Sequence, residues 1–208
     1  MEAREAYDLV AAEYAALIPD TRYETALDLA MIDQFAELVG TGRVLDAGCG
    51  TGRMTAHLRE RHPELSLTGV DLSEQMLVQA SRAVPGVDFV QGELAALPCA
   101  SASFDGVLVW YSTIHTPDEG MPAVFAELHR VVRPGGPVLL GFQAGRGERL
   151  IERAYGHDLD LIAYLHDVGA VAAGLGAAGF TVHTQLERGP RREFERHPQG
   201  SVLAVRDE

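Results

Sequence analysis

Short apolar runs alternate along most of this chain with longer segments whose apolar residues recur at helical spacing. The runs typical of buried strands are Arg43–Ala47, Ser66–Val70, Asp88–Val90, Gly106–Trp110 and Val138–Phe142. The helical segments between and after them are Met54–Arg61, Glu74–Ala83, Met121–Val132 and Asp158–Ala178. This alternation predicts an α/β fold in which helices cover both faces of a mostly parallel, doubly wound sheet.

The two ends of the chain depart from this alternation. Two helical segments, Arg4–Leu17 and Tyr23–Leu38, open the chain, and Pro19 separates them. Near the other end, Phe180–Leu186 and Ser201–Arg206 both have strand patterns, with no helix between them. Strands joined without a crossover helix must be antiparallel, so the last strand is predicted to be antiparallel to the others.

No internal repeat or linker interrupts the chain. We therefore expect one domain over residues 1–208, with residues 1–40 as a helical lid on a core of residues 41–208. A chain of 208 residues, 47% of them hydrophobic, is long enough for one well-buried domain. No uninterrupted apolar stretch is long enough to predict a membrane span.

Location and partners are constrained by residue usage. The acidic start of the chain does not resemble a signal peptide, and Cys49 and Cys99 are widely separated, so we expect free thiols and a cytoplasmic protein. A formal net charge of −13 makes nucleic acid an unfavourable partner. The sequence contains no lysine, which excludes both a Walker A phosphate loop and a pyridoxal-phosphate Schiff base.

A glycine-rich turn follows the first predicted strand. Gly48, Gly50 and Gly52 alternate with other residues before a helix, an arrangement that lets the backbone turn sharply and a ligand lie against it. Asp71 ends the next strand, where an acid can accept hydrogen bonds from both ribose hydroxyls. Ligands of doubly wound sheets bind at these carboxyl ends of the strands.

Two kinds of nucleotide ligand are compatible with a glycine-rich turn after the first strand. A dinucleotide fingerprint is G-x-G-x-x-G, whereas the glycines here are evenly spaced, and Asp46 precedes the first of them. A carboxylate at that position would repel a pyrophosphate but would attract an ammonium. A ligand with an amino acid at one end and a ribose near Asp71 satisfies both observations, and S-adenosylmethionine is such a ligand.

An ordered series of motifs then carries a family resemblance: Val44-Leu45-Asp46-Ala47-Gly48-Cys49-Gly50-Thr51-Gly52, Gly69-Val70-Asp71-Leu72-Ser73, Gly92-Glu93-Leu94, Leu97-Pro98, Ser103-Phe104-Asp105-Gly106-Val107, Arg130-Val131-Val132-Arg133-Pro134-Gly135-Gly136 and Ala178-Gly179-Phe180. With this series the chain resembles the class I S-adenosylmethionine-dependent methyltransferases over nearly its whole length. The resemblance implies a seven-stranded sheet with its last strand antiparallel, S-adenosylmethionine as cofactor, and methyl transfer as the reaction.

The resemblance also implies roles for residues around the cofactor. Asp46, Gly48 and Gly50 would hold the methionyl end, and Asp71 the ribose. The remaining residues expected at the cofactor are Tyr14, Arg22, Leu72, Met76, Gly92, Glu93, Leu94 and Trp110. Among these, Arg22 would close over the methionyl carboxylate, and Glu93 stands where the family more often has Asp.

The methyl acceptor is expected beside the loop that follows the fourth strand, under the N-terminal helix. His115 in that loop is a candidate general base, since its unperturbed pKa of about 6.5 suits proton transfer near neutral pH; a structural histidine is the alternative. Tyr14 is expected opposite His115, where it would shape and dry the pocket. Other candidate acceptor residues are Tyr7, Tyr23, Tyr111, Phe142, Gln143, Tyr155, His157 and Tyr164.

Several interpretations of function stay open at this level. The preferred acceptor is a small molecule with a nucleophilic oxygen, nitrogen or electron-rich carbon, such as a natural-product intermediate, methylated by a monomer or homodimer. The loop Trp110–Thr116 supplies no acid, so no metal is expected. The alternatives are a cofactor-binding partner subunit without catalysis and, less favoured, a nicotinamide-dependent oxidoreductase.

Overall fold

The elements of the fold follow the predicted alternation, with one additional hairpin. A computed structural model describes residues 1–191 and 195–208. Its helices are α1 Ala3–Leu17, α2 Ala26–Val39, α3 Arg53–Arg61, α4 Glu74–Ala83, α5 Met121–Val131 and α6 Val168–Ala177. Its strands are β1 Arg43–Ala47, β2 Ser66–Asp71, β3 Asp88–Gln91, β4 Gly106–Trp110, β5 Pro137–Gln143, β6 Glu148–Ala154, β7 His157–Tyr164, β8 Phe180–Arg188 and β9 Gln199–Arg206.

Seven of the strands form one sheet in the order β3-β2-β1-β4-β5-β9-β8. Strands β1 to β5 pair in parallel, whereas β9 lies antiparallel to both β5 and β8. The predicted fold class is confirmed, including the antiparallel last strand. The chain runs outward in one direction from β1 and then returns to add β4 on its other side. A crevice therefore opens at the carboxyl ends of β1 and β4, where such sheets bind ligands.

The opening helices lie in different places. Helix α2 packs on one face of the sheet, where Ile32 and Phe35 are fully buried in a cluster that includes Leu139 of β5; full burial of one such side chain contributes about 1.5–3 kcal/mol. Helix α1 contacts α4 and β7 instead. Its Asp8 carboxylate accepts hydrogen bonds from the Ser73 hydroxyl, at 2.6 Å, and from the Gln75 backbone N–H, at 3.2 Å. These contacts hold α1 beside the start of α4.

The predicted long helix Asp158–Ala178 is wrong. Its first part is β7, which pairs antiparallel with β6 in a two-stranded sheet of its own, and only Val168–Ala177 is helical. Tyr155 and Gly156 form the two-residue turn, both with positive φ (53° and 86°), and right-handed strand twist favours this kind of turn in hairpins. Asp and Leu alternate from Asp158 onward, which is the two-residue period of a strand. This period, and not the apolar content that suggested a helix, corresponds to the structure formed.

Within residues 1–191 and 195–208, every helix is too short or too polar to cross a lipid bilayer. Cys49 is buried, Cys99 is half-buried, and both are free thiols.

Candidate active site

A cavity of about 670 Å³ occupies the crevice at the carboxyl ends of the parallel strands. The turns after β1, β2 and β3 and the loop after β4 form its floor and sides, and the beginning of α1 covers it. Of the residues predicted for the cofactor, the cavity is lined by Tyr14, Asp46, Gly48, Gly50, Asp71, Leu72, Met76, Gly92, Glu93, Leu94 and Trp110. Topology thus brings together side chains that are far apart in the sequence.

The glycine turn forms one wall of this cavity. Gly48 and Gly50 both have positive φ, 76° and 53°, a region that residues with a Cβ rarely adopt. A Cβ on Gly48 would lie 2.1 Å from the Cβ of Ser112 in the loop after β4, whereas a Cβ on Gly50 would meet no atom within 4 Å. Gly48 therefore permits close packing of two loops, and the backbone of Gly50 faces open space.

Asp71 is fixed by backbone donors. Its Oδ2 accepts a hydrogen bond from the Gly50 N–H at 2.8 Å, and its Oδ1 accepts one from the Ser73 N–H at 2.9 Å. A carboxylate oxygen can accept a second hydrogen bond, so both oxygens retain capacity for a ligand diol. The geometry fits the ribose that the sequence predicted at this position.

Asp46 lies deeper and has a different environment. It is buried, and its Oδ2 accepts a hydrogen bond from the Thr55 hydroxyl at 2.6 Å. Burial raises the pKa of Asp46 to about 6. A cation beside this carboxylate would favour its ionised form, which fits the ammonium of a methionyl group.

The far end of the cavity is more apolar. Leu72, Met76 and Leu94 line it and provide a surface for a flat, weakly polar ring. Glu93 lies at the rim with 64% of its side chain exposed, and it pairs with Arg4 of α1 at 3.2 Å. The cavity therefore offers three kinds of contact: a carboxylate for an ammonium, a second carboxylate for a diol, and an apolar surface for an aromatic base.

His115 and Tyr7 form a hydrogen-bonded pair at the acceptor side of the cavity. His115 Nδ1 lies 2.5 Å from the Ile162 carbonyl oxygen, which can only accept, so Nδ1 carries the proton. Burial lowers the pKa of His115, and the neutral ring then accepts at Nε2 from the Tyr7 hydroxyl, 3.0 Å away. The loop after β4, α1 and the β6–β7 hairpin meet at this pair.

Arg53 and Glu24, which were not predicted as site residues, form an ion pair beside the cavity. Arg53 lines the cavity, and its Nη1 lies 2.5 Å from Oε2 of Glu24. The other oxygen of Glu24, Oε1, accepts a hydrogen bond from the Trp110 indole N–H at 3.3 Å. The available signal was the position of Arg53 directly after Gly52, at the start of α3. Tyr14 lies nearby, with its ring 4.9 Å from that of Tyr155.

Three predicted site residues lie away from this cavity. Arg22 is 62% exposed and pairs with its neighbour Asp20. Phe142 is 1% exposed because alternation along β5 directs it into the core. His157 follows the hairpin turn and faces Glu13 at 3.5 Å. None of these three side chains lines any of the cavities described here, so their roles in the site stay predictions that the geometry does not support.

The other acceptor candidates lie closer to the site. Tyr7 and Tyr111 line the cavity, and Tyr111 also lines an adjoining cavity of about 380 Å³ together with Tyr23, Gln143 and Tyr155. Tyr164 lines neither. In the part of the chain that the structure describes, no group of three metal-ligating side chains occurs.

Comparison with known proteins bears on the same region. Residues 44–136, which include β1 to β4 and the turns that line the cavity, match the family model described as a methyltransferase domain. This part of the chain is similar to a methyltransferase domain. The resemblance to class I S-adenosylmethionine-dependent methyltransferases is thereby confirmed, and the match supports S-adenosylmethionine as the cofactor.

Individual relatives of the methyltransferase domain agree. Over 94 residues the chain is 42% identical to a malonyl-[acyl-carrier protein] O-methyltransferase of Enterobacter lignolyticus, an alignment covering 45% of this chain and 36% of that protein. The chain thus spans little more than a third of the length of the curated relatives it matches first.

Solved structures show the same fold over most of the chain. An S-adenosylmethionine-dependent methyltransferase from Mesorhizobium loti superposes with a TM-score of 0.68 at 23% identity, covering 88% of this chain and 98% of that one. A 1,6-didemethyltoxoflavin-N1-methyltransferase of Burkholderia thailandensis, solved with S-adenosylhomocysteine, gives a TM-score of 0.65 at 22% identity, covering 100% and 92%.

Proposed function

We propose that this chain transfers the methyl group of S-adenosylmethionine to a small molecule bound beside its cofactor cavity. The observation that carries the proposal is the arrangement of Asp46, Gly50 and Asp71 along one 670 Å³ cavity. Two carboxylates in different environments, separated by a bare backbone turn, match the ammonium and ribose of this cofactor. A glycine turn that bound no ligand would not need a buried carboxylate at Asp46 or at Asp71.

Each end of the cofactor has residues suited to it. Asp46 would attract the methionyl ammonium, and Arg53 would attract the methionyl carboxylate in place of the distant Arg22. Asp71 would accept hydrogen bonds from the ribose diol. The adenine would lie between Leu72 and Met76, with the backbone of Leu94 at its edge. When bound, the cofactor supplies a methyl group on a positively charged sulfur.

The chain's own contribution to the transfer is alignment, exclusion of water and proton acceptance. Tyr14 would shape and dry the space beside the methyl group. An acceptor that must lose a proton would give it to the Tyr7 oxygen as the Tyr7 hydroxyl proton passes to His115 Nε2. The proton from the acceptor thus ends on the His115–Tyr7 pair, and the acceptor gains the methyl group.

The acceptor class is proposed from the size of the site. Adjoining cavities of about 470 and 380 Å³ suit a small organic molecule. The nucleophile would be an oxygen, a nitrogen or an electron-rich carbon, and a natural-product intermediate is one such acceptor.

The cofactor assignment is tested by calorimetry with S-adenosylhomocysteine. Asp71→Ala removes a charged acceptor and is expected to weaken binding by about 1.5–3 kcal/mol, roughly ten-fold or more. Asp88→Ala, an exposed acid at the start of β3, is the matched control and should bind as the unaltered protein does.

Unchanged affinity in a folded Asp71→Ala variant would overturn the assignment. Tight binding of a nicotinamide dinucleotide to the same cavity would favour an oxidoreductase instead. Binding of S-adenosylmethionine with no methylated product from a broad panel of metabolites would favour a cofactor-binding subunit without catalysis.

A further inference from the structure

A second chamber adjoins the cofactor cavity, on the side of the β6–β7 hairpin. It consists of the two smaller cavities, which share Gln143, Arg149, Tyr155 and Arg196 in their walls. Tyr7 and Ile114 line these cavities and the cofactor cavity alike. A molecule in this chamber would therefore contact Tyr7, the hydrogen-bond partner of His115, beside the cofactor cavity.

Arg149 in this chamber has an incomplete set of partners. Its Nη2 donates to the Gln143 side-chain oxygen at 3.1 Å. Its Nε is buried and has no hydrogen-bond partner among the residues described, and within those same residues the side chain forms no ion pair. A buried polar N–H without a partner, on a half-buried cation without a counter-charge, is unfavourable, so an anion in the chamber would supply the missing interaction.

The charged residues around Arg149 also favour the binding of an anion. Arg196, also in the wall, is a second cation, and burial together with this neighbour lowers the pKa of Arg149. The acids near the chamber are largely engaged elsewhere: Glu24 pairs with Arg53, and Glu195 pairs with Arg188. Glu152 lines the outer part and is exposed. A local positive surface is notable in a chain of net charge −13.

Glu195, the neighbour of Arg196, is connected to helix α2 through Arg188. Arg188 joins Asp28 of α2, at 2.8 Å, to Glu195, at 2.7 Å. The Glu195 carboxylate also accepts a hydrogen bond from the Arg191 backbone N–H at 2.7 Å. This network ties the wall of the chamber to the sheet-covering helix, so the chamber is a built part of the fold.

We propose that Arg149, with Arg196 beside it, binds a carboxylate on the methyl acceptor and so orients the acceptor's nucleophile toward Tyr7 and the cofactor cavity. This inference rests on the proposed methyl transfer and adds to it the substrate class, a small carboxylic acid. A guanidinium presents paired donors that match the two oxygens of a carboxylate. Gln143 is a positioning residue, since it holds Arg149 through Nη2.

The experiment follows the Arg149 Nε–H resonance by NMR in ¹⁵N-labelled protein saturated with S-adenosylhomocysteine. The probes are benzoate, its neutral counterpart benzamide, and inorganic phosphate, each at matched ionic strength. We expect a saturable shift with benzoate and a weaker one, or none, with benzamide. Arg149→Gln should weaken benzoate binding about ten-fold or more. Arg146→Gln changes an 85% exposed arginine just before the hairpin that lines none of these cavities, and it should leave benzoate binding unchanged.

Each other outcome overturns the proposal. Equal affinity for benzoate and benzamide, or no saturable shift with any probe, would remove anion binding from this chamber. If the chamber bound phosphate more tightly than benzoate, the acceptor would be a phosphorylated molecule and not a carboxylic acid. Retained benzoate binding in Arg149→Gln would move the anion elsewhere. Failure of S-adenosylhomocysteine to bind at all is a separate result, which refutes the methyl-transfer proposal and is seen before any probe is added.

Discussion

Two aspartates in one cavity differ in what surrounds them, and this difference sets how each responds to pH. Asp71 accepts two backbone hydrogen bonds, which offset part of the cost of its burial. Asp46 has one hydroxyl donor, and burial raises its pKa to about 6. Burial also raises the pKa of Asp71, but for Asp46, the residue proposed to hold the ammonium, the pKa of about 6 places the change of charge close to neutral pH.

Cofactor affinity should consequently fall in mild acid. Bound ammonium favours ionised Asp46, so binding is strongest above the pKa of about 6 and weakens as protonation of the free protein competes below it. Calorimetry with S-adenosylhomocysteine between about pH 8 and pH 5 measures this dependence. Asp46→Asn should bind weakly throughout and lose the acid-dependent step. An identical pH profile in both proteins would contradict the role of Asp46.

The His115–Tyr7 pair allows a second prediction, for an acceptor that must lose a proton. His115→Ala and Tyr7→Phe should each lower turnover by roughly 10²-fold, the lower range for general-base catalysis, with cofactor affinity nearly unchanged. Because both act in one relay, the double variant should be little slower than either single one. Tyr164→Phe, on a tyrosine outside the cavity, is the matched control.

The competing account makes His115 structural, since it also ties its loop to the Ile162 carbonyl. That account predicts a lower melting temperature and normal turnover per folded molecule at every pH. Under the relay, the loss in His115→Ala shrinks as pH rises and hydroxide substitutes for the base. Melting curves measured beside pH–rate profiles separate the two.

At the scale of elements, two glycines of the turn after β1 have different functions. Gly48 lets the turn pack against Ser112, and Gly50 leaves space for a ligand. Both have positive φ, so alanine at either position carries a similar backbone penalty of roughly 1–2 kcal/mol. The difference between the two alanine variants therefore isolates the contact with Ser112.

Gly48→Ala should destabilise the protein more than Gly50→Ala does, by about 1–3 kcal/mol, the usual cost of overpacking. Gly50→Ala should affect cofactor affinity more than stability. Urea unfolding gives the first quantity, and titration with S-adenosylhomocysteine gives the second. Equal losses of stability in both variants would show that the packing of the turn on the loop after β4 is dispensable.

The elements were predictable to different extents for physical reasons. The central parallel strands β1, β4 and β5 were predicted correctly because they are buried on both faces and have continuous apolar runs. The hairpin was missed because its Leu-rich, partly exposed strand resembles a helical segment in composition. Phe142 and Gln143 were predicted together, but neighbouring strand residues face opposite sides, and only Gln143 reaches the chamber. Arg53 was missed because proximity in the fold, not in sequence, pairs it with Glu24.

At the scale of the whole molecule, one arginine joins distant parts of the chain. Arg188 at the end of β8 has 12% of its side chain exposed, and it pairs with Asp28 of α2 and with Glu195. Although burial opposes ionisation of both acids, hydrogen bonds from Arg188 hold the pKa of each below its usual value. Depressed carboxyl pKa values contribute stability that is present near neutral pH and is lost in acid.

Arg188→Met should therefore lower the free energy of unfolding by about 3–5 kcal/mol at neutral pH, because it removes the guanidinium that Asp28 and Glu195 share. The deficit should narrow as pH falls and the acids become protonated. Arg146→Met, at an arginine 85% exposed and paired with Asp167, is the control and should change stability by less than about 1 kcal/mol. Urea unfolding at several pH values makes the comparison, and equal effects of the two changes would contradict it.

The β6–β7 hairpin pairs with no strand of the seven-stranded sheet. Its two ends come together at the Ala144–His166 bridge, so it leaves and rejoins the fold at nearly the same point. Because the hairpin is attached at one place, we expect that a hairpin of different length or sequence can replace it without changing the register of the seven-stranded sheet. Because Arg149 of this hairpin lines the proposed acceptor chamber, we expect chimeras that exchange only the hairpin to change acceptor choice and to keep cofactor binding.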